Sequence, residues 1–245
     1  MTDFLSKESS QTSKGAVGDR ARTSSPKGYF VTATGTDVGK TFITGLLVKK
    51  WRDSGIDAGY YKAALSGAEL HDGKWIAGDA DYVKRIAGLA DSQEQLVSYV
   101  YKEAVSPHLA AQKEGNPVEI SKVQADFKAA CDRHEFIFAE GSGGIICPIR
   151  YDDQKIFLED IMKELGLPLL IVTTAALGSI NACVLTVEYA RSRGLDIRGI
   201  IVNRYGCSGN FEMEDDNIRM MQDLTGLEIL AKVKEGDSDL GVQVF

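Results

Sequence analysis

Residues Tyr29 to Thr41 read YFVTATGTDVGKT, and a helical pattern of apolar residues begins directly after them. A short apolar run, a turn rich in Gly and Thr, and the ending Gly39-Lys40-Thr41 predict a strand, a phosphate loop and a helix N-terminus. Such a loop attracts phosphate because its orphan N–H groups and the helix dipole favour an anion. Lys40 would reach the terminal phosphates, and the Thr41 hydroxyl could bind Mg²⁺. This stretch therefore predicts a nucleotide-binding protein.

The loop departs from the strict phosphate-loop pattern at its first glycine. The strict pattern wants glycine at position 34, where the chain has Thr34, and Gly35 lies one residue too close to Gly39. The alternative interpretation is an ordinary Gly-rich turn with a threonine that caps the helix. The apolar strand before the loop and the amphipathic helix after it favour the phosphate loop.

The composition limits the class of protein. At 245 residues and 44% hydrophobic content, the chain can form one large α/β domain with a sizeable core. A formal net charge of -7 and a pI near 5.1 argue against nucleic-acid binding as the main task. The four cysteines stand far apart without metal-binding spacing, which predicts reduced thiols. Because the sequence contains neither a run of membrane-spanning length nor a signal peptide, we expect a soluble, cytoplasmic protein.

The sequence divides into a leader and one domain. Residues 1–27 are rich in Ser, Thr, Lys and Gly and hold few apolar side chains, which predicts a flexible leader. From 28 to 245, short apolar runs alternate with helical patterns through Gly-rich connections. This alternation predicts an α/β domain built on a single doubly wound, mostly parallel sheet, of the P-loop NTPase type.

The boundaries of the predicted elements follow from the same patterns. The predicted strands after the first are 58–62, 96–101, 136–139, 169–174, 197–203 and 227–233. The first predicted helix is 40–53, and the second runs through Tyr82 to Leu89. A third helix ends near 132 and has Ser121 and Gln124 as its capping box. The last two helices run from the 176–181 turn through Tyr189 and over 218–224. Residues 68–75 are predicted to form a loop.

Four of the predicted strands lead into polar, Gly-rich turns. These turns are 34–41, 62–67, 140–144 and 203–204. Because the carboxyl ends of parallel strands share one edge of a sheet, where ligands bind, we expect Lys40, Thr41, Lys62, Ser66 and Glu140 to lie together. Glu140 follows an apolar run, which is the expected position of the second Mg²⁺ ligand in a phosphate-loop protein.

Three features remain open on the residues alone. Either Asp79 or Asp81 could bind metal while the other caps the helix that follows. His108 is more typical of a hydrogen-bonded structural residue than of a ligand. The turn from Gly178 to Asn181 could bind a carboxylate through its N–H groups, or it could be an ordinary helix cap.

The full set of motifs resembles the dethiobiotin synthetases, the ATP-dependent carboxylases of biotin biosynthesis. The similarity extends from about Gly28 to Val233. The segments that carry it are Thr34-Gly35-Thr36-Asp37-Val38-Gly39-Lys40-Thr41, Gly59-Tyr60-Tyr61-Lys62 with Ser66-Gly67, Val105-Ser106-Pro107-His108 with Glu114-Gly115, Glu140-Gly141-Ser142-Gly143-Gly144, Leu177-Gly178-Ser179-Ile180-Asn181 and Val202-Asn203. The chain departs from the family where it has Ala33 instead of the frequent glycine and Ala63 instead of the proline that commonly follows the lysine.

The resemblance implies a reaction and a set of ligands. CO₂ would carbamate 7,8-diaminopelargonate (7,8-diaminononanoate), MgATP would phosphorylate the carbamate, and the second amine would close the ureido ring with loss of phosphate. The family's functional residues, carried over by motif, make Lys40, Lys62 and Ser66 catalytic and make Thr41, Asp79 and Glu140 the Mg²⁺ ligands. The implied ATP contacts are Thr36, Asp37, Val38, Gly39, Lys40, Thr41 and Asn203. The implied substrate contacts are Ser66, Gly143, Gly178, Ser179 and Asn181.

The resemblance also implies a homodimer in which the Gly178 to Asn181 turn binds the substrate carboxylate of the neighbouring subunit. Two alternatives stand beside this interpretation. A MinD- or ParA-like switch ATPase has a similar fold and loop but carries an extra lysine near the start of the loop, and none occurs between Phe30 and Gly39. A related amide-forming synthetase that acts on another small acid is the second alternative.

Overall fold

The structure is a computed structural model that describes residues 27–245. Apart from Lys27, the leader predicted over 1–27 lies outside the described residues. The strands are β1 (Gly28–Ala33), β2 (Ala58–Ser66), β3 (Glu69–His71), β4 (Lys74–Ile76), β5 (Val97–Tyr101), β6 (Phe136–Glu140), β7 (Pro148–Tyr151), β8 (Lys155–Phe157), β9 (Leu169–Thr173), β10 (Ile197–Val202) and β11 (Ile229–Lys232). The helices are α1 (Lys40–Asp53), α2 (Gly78–Ala87), α3 (Gln93–Leu96), α4 (Pro107–Glu114), α5 (Ile120–Arg133), α6 (Leu158–Leu165), α7 (Ser179–Ser192) and α8 (Phe211–Thr225).

A seven-stranded parallel sheet forms the centre of the described chain, in the order β11-β10-β9-β1-β6-β2-β5. Two-stranded antiparallel hairpins, β3-β4 and β7-β8, stand apart from it. Strand β1 lies between β6 and β9, so the loop that follows β1 emerges near the middle of the carboxyl edge. This arrangement confirms the predicted doubly wound parallel sheet.

Buried side chains cover both faces of the sheet, as a doubly wound fold requires. Successive residues of a strand point to opposite faces. On β2, Tyr60 therefore packs in the core that contains Trp51 of α1, whereas Tyr61 packs in the core that contains Phe127 of α5. A third core cluster lies between β9, β10, α7 and α8. Helices thus cover both faces of the sheet and leave its carboxyl edge free for a site.

The predicted end of β2 at Lys62 is wrong. The strand continues to Ser66, and its last residues pair in parallel with β5 from Lys62↔Val97 to Ser66↔Tyr101. The small side chains of Ala63 and Ala64 suggested a loop, but both are buried in the core that contains Phe127. Lys62 consequently lies inside a strand rather than at its end.

The loop predicted over 68–75 is also wrong, because β3 and β4 form a hairpin there. Asp72 (φ 48°) and Gly73 (φ 76°) make its two-residue turn in the left-handed region. An Asp-Gly pair is a strong hairpin signal, so the sequence contained the information. Helix α5 begins at Ile120 with Glu119 as its N-cap, so the predicted capping box at Ser121 is wrong. By contrast, α1 confirms the helix predicted over 40–53.

Two compositional predictions can be compared with the structure. All four cysteines are free thiols, and two of them, Cys147 and Cys183, are buried. None of the helices between residues 27 and 245 has the length and apolar character that a membrane span requires.

A network of charged side chains joins the amino ends of the strands at the edge opposite the phosphate loop. His134 lies between two carboxylates, with Nδ1 3.1 Å from Asp57 and Nε2 3.1 Å from Asp91. The Arg133 guanidinium donates to Asp91 at 3.0 Å. Burial alone would raise the pKa of Asp91, but the bonds from His134 and Arg133 outweigh it and lower that pKa. Asp91 is therefore stabilised as an anion in the folded protein.

We expect Asp91→Asn to lower the melting temperature at neutral pH, because the substitution removes a buried carboxylate that bonds to Arg133 and His134. A lowered pKa adds stability that is fully present above the unfolded value of about 3.9 and is lost as the pH falls through the folded value. The gap in melting temperature between wild type and variant should therefore persist at pH 5 to 7 and shrink below about pH 4. A calorimetric pH series would measure it, and a gap that is unchanged at low pH would contradict the role of the charge.

Candidate active site

The phosphate loop connects β1 to α1 through residues 34–39. Gly39 is the N-cap of α1 and has φ 90°, a left-handed conformation that favours glycine. A Cβ added at Gly39 would lie 2.1 Å from Asn203 Nδ2, so the close approach of β10's end also requires glycine. Asn203 Nδ2 donates to the Val38 carbonyl at 2.9 Å and thereby holds the loop against the sheet. No side chain caps α1, which excludes the alternative of a capping threonine.

A buried ion cluster lies beside the loop. Lys62 Nζ donates to Asp79 Oδ2 at 2.5 Å and to Glu140 Oε1 at 2.8 Å. The Thr41 hydroxyl donates to the same Glu140 oxygen at 2.9 Å. Glu140 is brought to Lys62 by the register of β2 and β6, in which these two residues are partners. The predicted convergence of the loop with Lys62 and Glu140 is thus present in the structure.

The pKa values of the two lysines shift in opposite directions. For Lys40, burial and then the charge of Lys62 lower the pKa. For Lys62, burial also disfavours the charge, but Glu140 and Asp79 outweigh it and raise the pKa to about 12. Burial would raise the pKa of Asp79, yet its bond and attraction to Lys62 lower it. Lys62 is therefore a fixed positive charge at neutral pH.

A cavity of about 340 Å³ opens over this cluster. Most of the predicted site residues line it, namely Thr36, Asp37, Gly39, Lys40, Thr41, Lys62, Ser66, Asp79, Glu140 and Gly143. Leu65 and Ser142 line it too and were not predicted. Ser142 belongs to the Gly-rich turn after Glu140, and its hydroxyl donates to the Ala64 carbonyl at 2.6 Å, so membership of that turn was the available signal.

Asp79 and Asp81 line different cavities. Asp79 lines the main cavity, whereas Asp81 lines a separate small cavity with Lys84 and Gln93. Neither aspartate caps α2, whose N-cap is Ala77. Only Asp79 of this pair is therefore placed to contact a ligand bound at the phosphate loop.

Asn203 lines an adjoining groove together with Gly39, Phe42, Arg204 and Glu235. Asn203 is 2% exposed, and its Oδ1 has no hydrogen-bond partner among residues 27–245. A buried acceptor without a donor is costly, so this oxygen is suited to a ligand N–H group. Val38 contributes its carbonyl to the Asn203 contact and does not line the main cavity.

The predicted residues Gly178, Ser179 and Asn181 do not line the main cavity of the described chain. They form the start of α7, where Gly178 is the N-cap with φ 91°. The Ser179 hydroxyl is buried without a hydrogen-bond partner in residues 27–245. Leu177, directly before this turn, is 89% exposed. In the single chain, this turn therefore lies outside the cavity at the phosphate loop.

His108 also lies away from the phosphate loop, in a cavity of about 270 Å³ that Arg150 and Tyr151 share. The prediction of a hydrogen-bonded structural histidine is wrong for its Nδ1, which is buried without a partner in the described part of the chain.

The parallel sheet, the loop and the cavity define a P-loop α/β protein. Residues 27–238 match the family described as AAA domain. The chain is 51% identical to the ATP-dependent dethiobiotin synthetase BioD of Brachyspira hyodysenteriae, over 86% of this chain and 93% of that one. It is 48% identical to the protein of the same name from Clostridium botulinum strain Eklund 17B, over 83% and 88% of the two chains. The chain belongs to the ATP-dependent dethiobiotin synthetase family, whose members are ligases.

Solved structures of other P-loop proteins share the fold. The cell division ATPase MinD of Pyrococcus furiosus superposes with a TM-score of 0.51 at 19% identity, covering 86% of this chain and 84% of that one. A ParA family ATPase from Chlorobium tepidum gives 0.52 at 14% identity, with 86% of each chain covered. At these identities the likeness concerns the fold alone, so the MinD- or ParA-like alternative stands only as a relation of architecture.

Proposed function

We propose that the protein uses ATP to carboxylate 7,8-diaminopelargonate with CO₂ and to close the ureido ring of dethiobiotin. The observation that carries this proposal is the convergence of two buried lysines, Lys40 and Lys62, with the phosphate loop and two carboxylates around one cavity. Membership of the dethiobiotin synthetase family supports the same reaction. A phosphate loop alone would serve many reactions, but the second lysine suits an anionic reactant and the two carboxylates suit Mg²⁺.

We infer that Mg²⁺ accompanies ATP. Thr41, Asp79 and Glu140 line the cavity and offer hydroxyl and carboxylate oxygens, which Mg²⁺ prefers. No cluster of three or more His, Cys, Asp or Glu residues within 27–245 is placed to hold a metal by itself. This fits Mg²⁺, which is usually held by one or two carboxylates together with substrate phosphates. When bound, it would neutralise phosphate charge.

The two lysines have distinct roles in this proposal. Lys40 lies at the start of α1 and would bind the transferring phosphates together with the loop N–H groups. Lys62 remains protonated because its pKa is about 12, so it would act as a fixed cation and not as a base. Facing the carbamate and the transferring phosphoryl group, it would stabilise the charge that develops there. Ser66 would contact the carbamate end of the substrate, and Gly143 would lie close to the substrate.

The groove at Asn203 is proposed to hold the adenine of ATP. An unpartnered, buried amide oxygen is suited to accept from an exocyclic amino group. Thr36, Asp37, Val38 and Gly39 would then surround the phosphates that extend from the groove to Lys40.

We propose a homodimer in which the Gly178 to Asn181 turn binds the substrate carboxylate in the partner's cavity. The turn lies apart from the cavity of its own chain, and Leu177 and Leu185 expose large apolar surfaces beside it. The N-terminus of α7 presents orphan N–H groups, and the buried Ser179 hydroxyl still lacks a partner in the described chain. A second copy would cover the leucines and bring the turn to a substrate. We also propose one catalytic domain over 28–245 and a cytoplasmic location, which the free thiols support.

We expect Asn181→Ala to raise the KM for diaminopelargonate several-fold and to leave the KM for ATP nearly unchanged, because the carboxylate is remote from the phosphates. Steady-state kinetics with each substrate varied in turn would measure both constants. Ser192→Ala, at the other end of α7, is the matched control and should change neither. Equal increases in both KM values, or a fully active monomer on dilution, would contradict the shared site.

The proposed function is tested by incubating the protein with ATP, Mg²⁺, diaminopelargonate and bicarbonate and measuring dethiobiotin. We expect one dethiobiotin per ATP hydrolysed, without added ammonia or glutamine. Hydrolysis of ATP without product would instead indicate a switch ATPase, and a requirement for ammonia or glutamine would indicate an amide-forming synthetase.

A further inference from the structure

Tyr60 lies in β2 directly beneath the ion cluster and is completely buried, with 0% of its surface exposed. Residues two apart on a strand point to the same face, so Tyr60 and Lys62 share a face of β2. The Tyr60 hydroxyl donates to Glu140 Oε2 at 3.2 Å. This contact joins a core side chain to a carboxylate that lines the cavity.

The two oxygens of Glu140 therefore have different partners. Oε1 accepts from Thr41 at 2.9 Å and from Lys62 at 2.8 Å, on the cavity side. Within residues 27–245, Oε2 receives its hydrogen bond from Tyr60 alone. A carboxylate that is hydrogen-bonded at both oxygens keeps one orientation. Residues that hydrogen-bond to a metal ligand without touching the metal commonly affect metal affinity 10- to 100-fold.

The Tyr60 hydroxyl can act only as a donor in this position. Its partner at 3.2 Å is a carboxylate oxygen of Glu140, which accepts hydrogen bonds. Tyr60 is completely buried, and removing its hydroxyl would leave Glu140 Oε2 without a hydrogen-bond donor among residues 27–245.

We propose that Tyr60 is a positioning residue for the metal: its hydroxyl fixes the Glu140 carboxylate so that Oε1 faces Thr41 and Lys62 at the cavity. Tyr60 touches neither substrate nor reacting atoms and acts through Glu140. The inference rests on the proposed function, because it takes Glu140 as a ligand of Mg²⁺.

The neighbouring residue provides a matched control. Tyr61 is also buried on β2, but it points to the opposite face and bonds to Ser98 at 2.7 Å and to the Val123 carbonyl at 3.1 Å. Tyr60→Phe and Tyr61→Phe each delete one buried hydroxyl and keep the ring in the core. A general loss of stability should affect both variants, whereas an effect on the metal should belong to Tyr60→Phe.

The experiment measures Mn²⁺ binding to the full chain with ADP present and diaminopelargonate absent, so that no turnover contributes. Free Mn²⁺ is followed by electron paramagnetic resonance, and ADP affinity is measured separately in EDTA. We expect Tyr60→Phe to weaken Mn²⁺ binding about tenfold and to leave ADP affinity in EDTA unchanged. Tyr61→Phe should match the wild type in both measurements. Glu140→Gln should weaken Mn²⁺ binding, and adding Tyr60→Phe to it should weaken binding no further, since both act through one carboxylate.

The outcomes separate this inference from the proposed function. Mn²⁺ affinity of Tyr60→Phe equal to that of Tyr61→Phe, or additive losses in the double variant, would overturn the role of Tyr60 even if the wild type makes dethiobiotin. Unchanged Mn²⁺ binding in Glu140→Gln would overturn it as well. A wild type that makes no dethiobiotin would refute the proposed reaction, yet a selective tenfold loss in Tyr60→Phe would still support the positioning of the metal ligand.

Discussion

Lys40→Ala is expected to lower dethiobiotin formation by a hundredfold or more while the fold remains intact, because a preorganised cation at the phosphates stabilises charge in the transition state. In the described chain Lys40 makes one long side-chain hydrogen bond, 3.4 Å to the Gly35 carbonyl, so its removal breaks little structure. Burial and the charge of Lys62 lower the pKa of Lys40, which means that its charge is poorly satisfied without an anion. Turnover, ADP affinity and melting temperature together would measure the effect.

The same helix offers the control for this variant. Lys50 pairs with Asp239 on the surface at 3.1 Å, and Lys50→Ala should keep full turnover because surface pairs contribute little. Near-normal turnover in Lys40→Ala, or equal losses in the two variants, would contradict the phosphate-loop assignment.

The parts of the fold that local sequence encodes were predicted well. The phosphate loop and α1 depend on residues that are adjacent in the chain, so the apolar strand, the glycines and the helical spacing were sufficient to place them. The order of strands in the sheet depends on distant pairings, such as β1 between β6 and β9, that no local pattern contains. The class of fold could therefore be predicted from local sequence patterns, but the position of each strand in the sheet could not.

Site residues at the ends of strands were predicted from the sequence. Residues that reach the site only through packing were missed. Glu140 ends an apolar strand, so its place at the carboxyl edge could be read directly from the sequence. Tyr60 is separated from Glu140 by 80 positions and looks like one more core aromatic, so only the sheet register reveals its contact. The use proposed for the turn from Gly178 to Asn181 would require a second subunit, so that part stays a prediction.

The misread segments have two different physical causes. At the end of β2, Ala63 and Ala64 have low strand preference, but pairing with β5 and burial in the core outweigh that preference. Between 148 and 165, where no element was predicted, a short hairpin leads into α6. Its strands have only 4 and 3 residues, too few for a period to appear in the sequence.

Lys62→Met is expected to abolish most turnover and to make the stability of the fold depend on divalent cation. Lys62 is 3% exposed and lies between Asp79 and Glu140, so its removal leaves two carboxylates facing each other without a cation. Breaking a buried ion pair from one side commonly costs about 3–5 kcal/mol. Because the variant retains both carboxylates and Thr41, Mg²⁺ should partly replace the missing charge.

The pH dependence of the Lys62→Met effect follows from the raised pKa of Lys62, about 12. A cation with a raised pKa contributes stability that is fully present below its unfolded value of about 10.4 and is lost as the pH rises through the folded value. The difference in melting temperature between wild type and variant should therefore be constant through neutral pH and should shrink only above about pH 10.

Melting temperatures of wild type, Lys62→Met and the surface control Lys50→Met over a series of MgCl₂ concentrations test this prediction. Mg²⁺ should raise the melting temperature of Lys62→Met more than that of the wild type, because in the variant the ion binds carboxylates that no ammonium neutralises. The melting temperature of Lys50→Met should respond to Mg²⁺ as that of the wild type does. Asp239 lies on the surface, so the loss of Lys50 leaves no buried charge unpaired. If Mg²⁺ shifts all three proteins alike, Asp79 and Glu140 do not form a cation site, and the oxygen ligands proposed for the metal must be sought elsewhere.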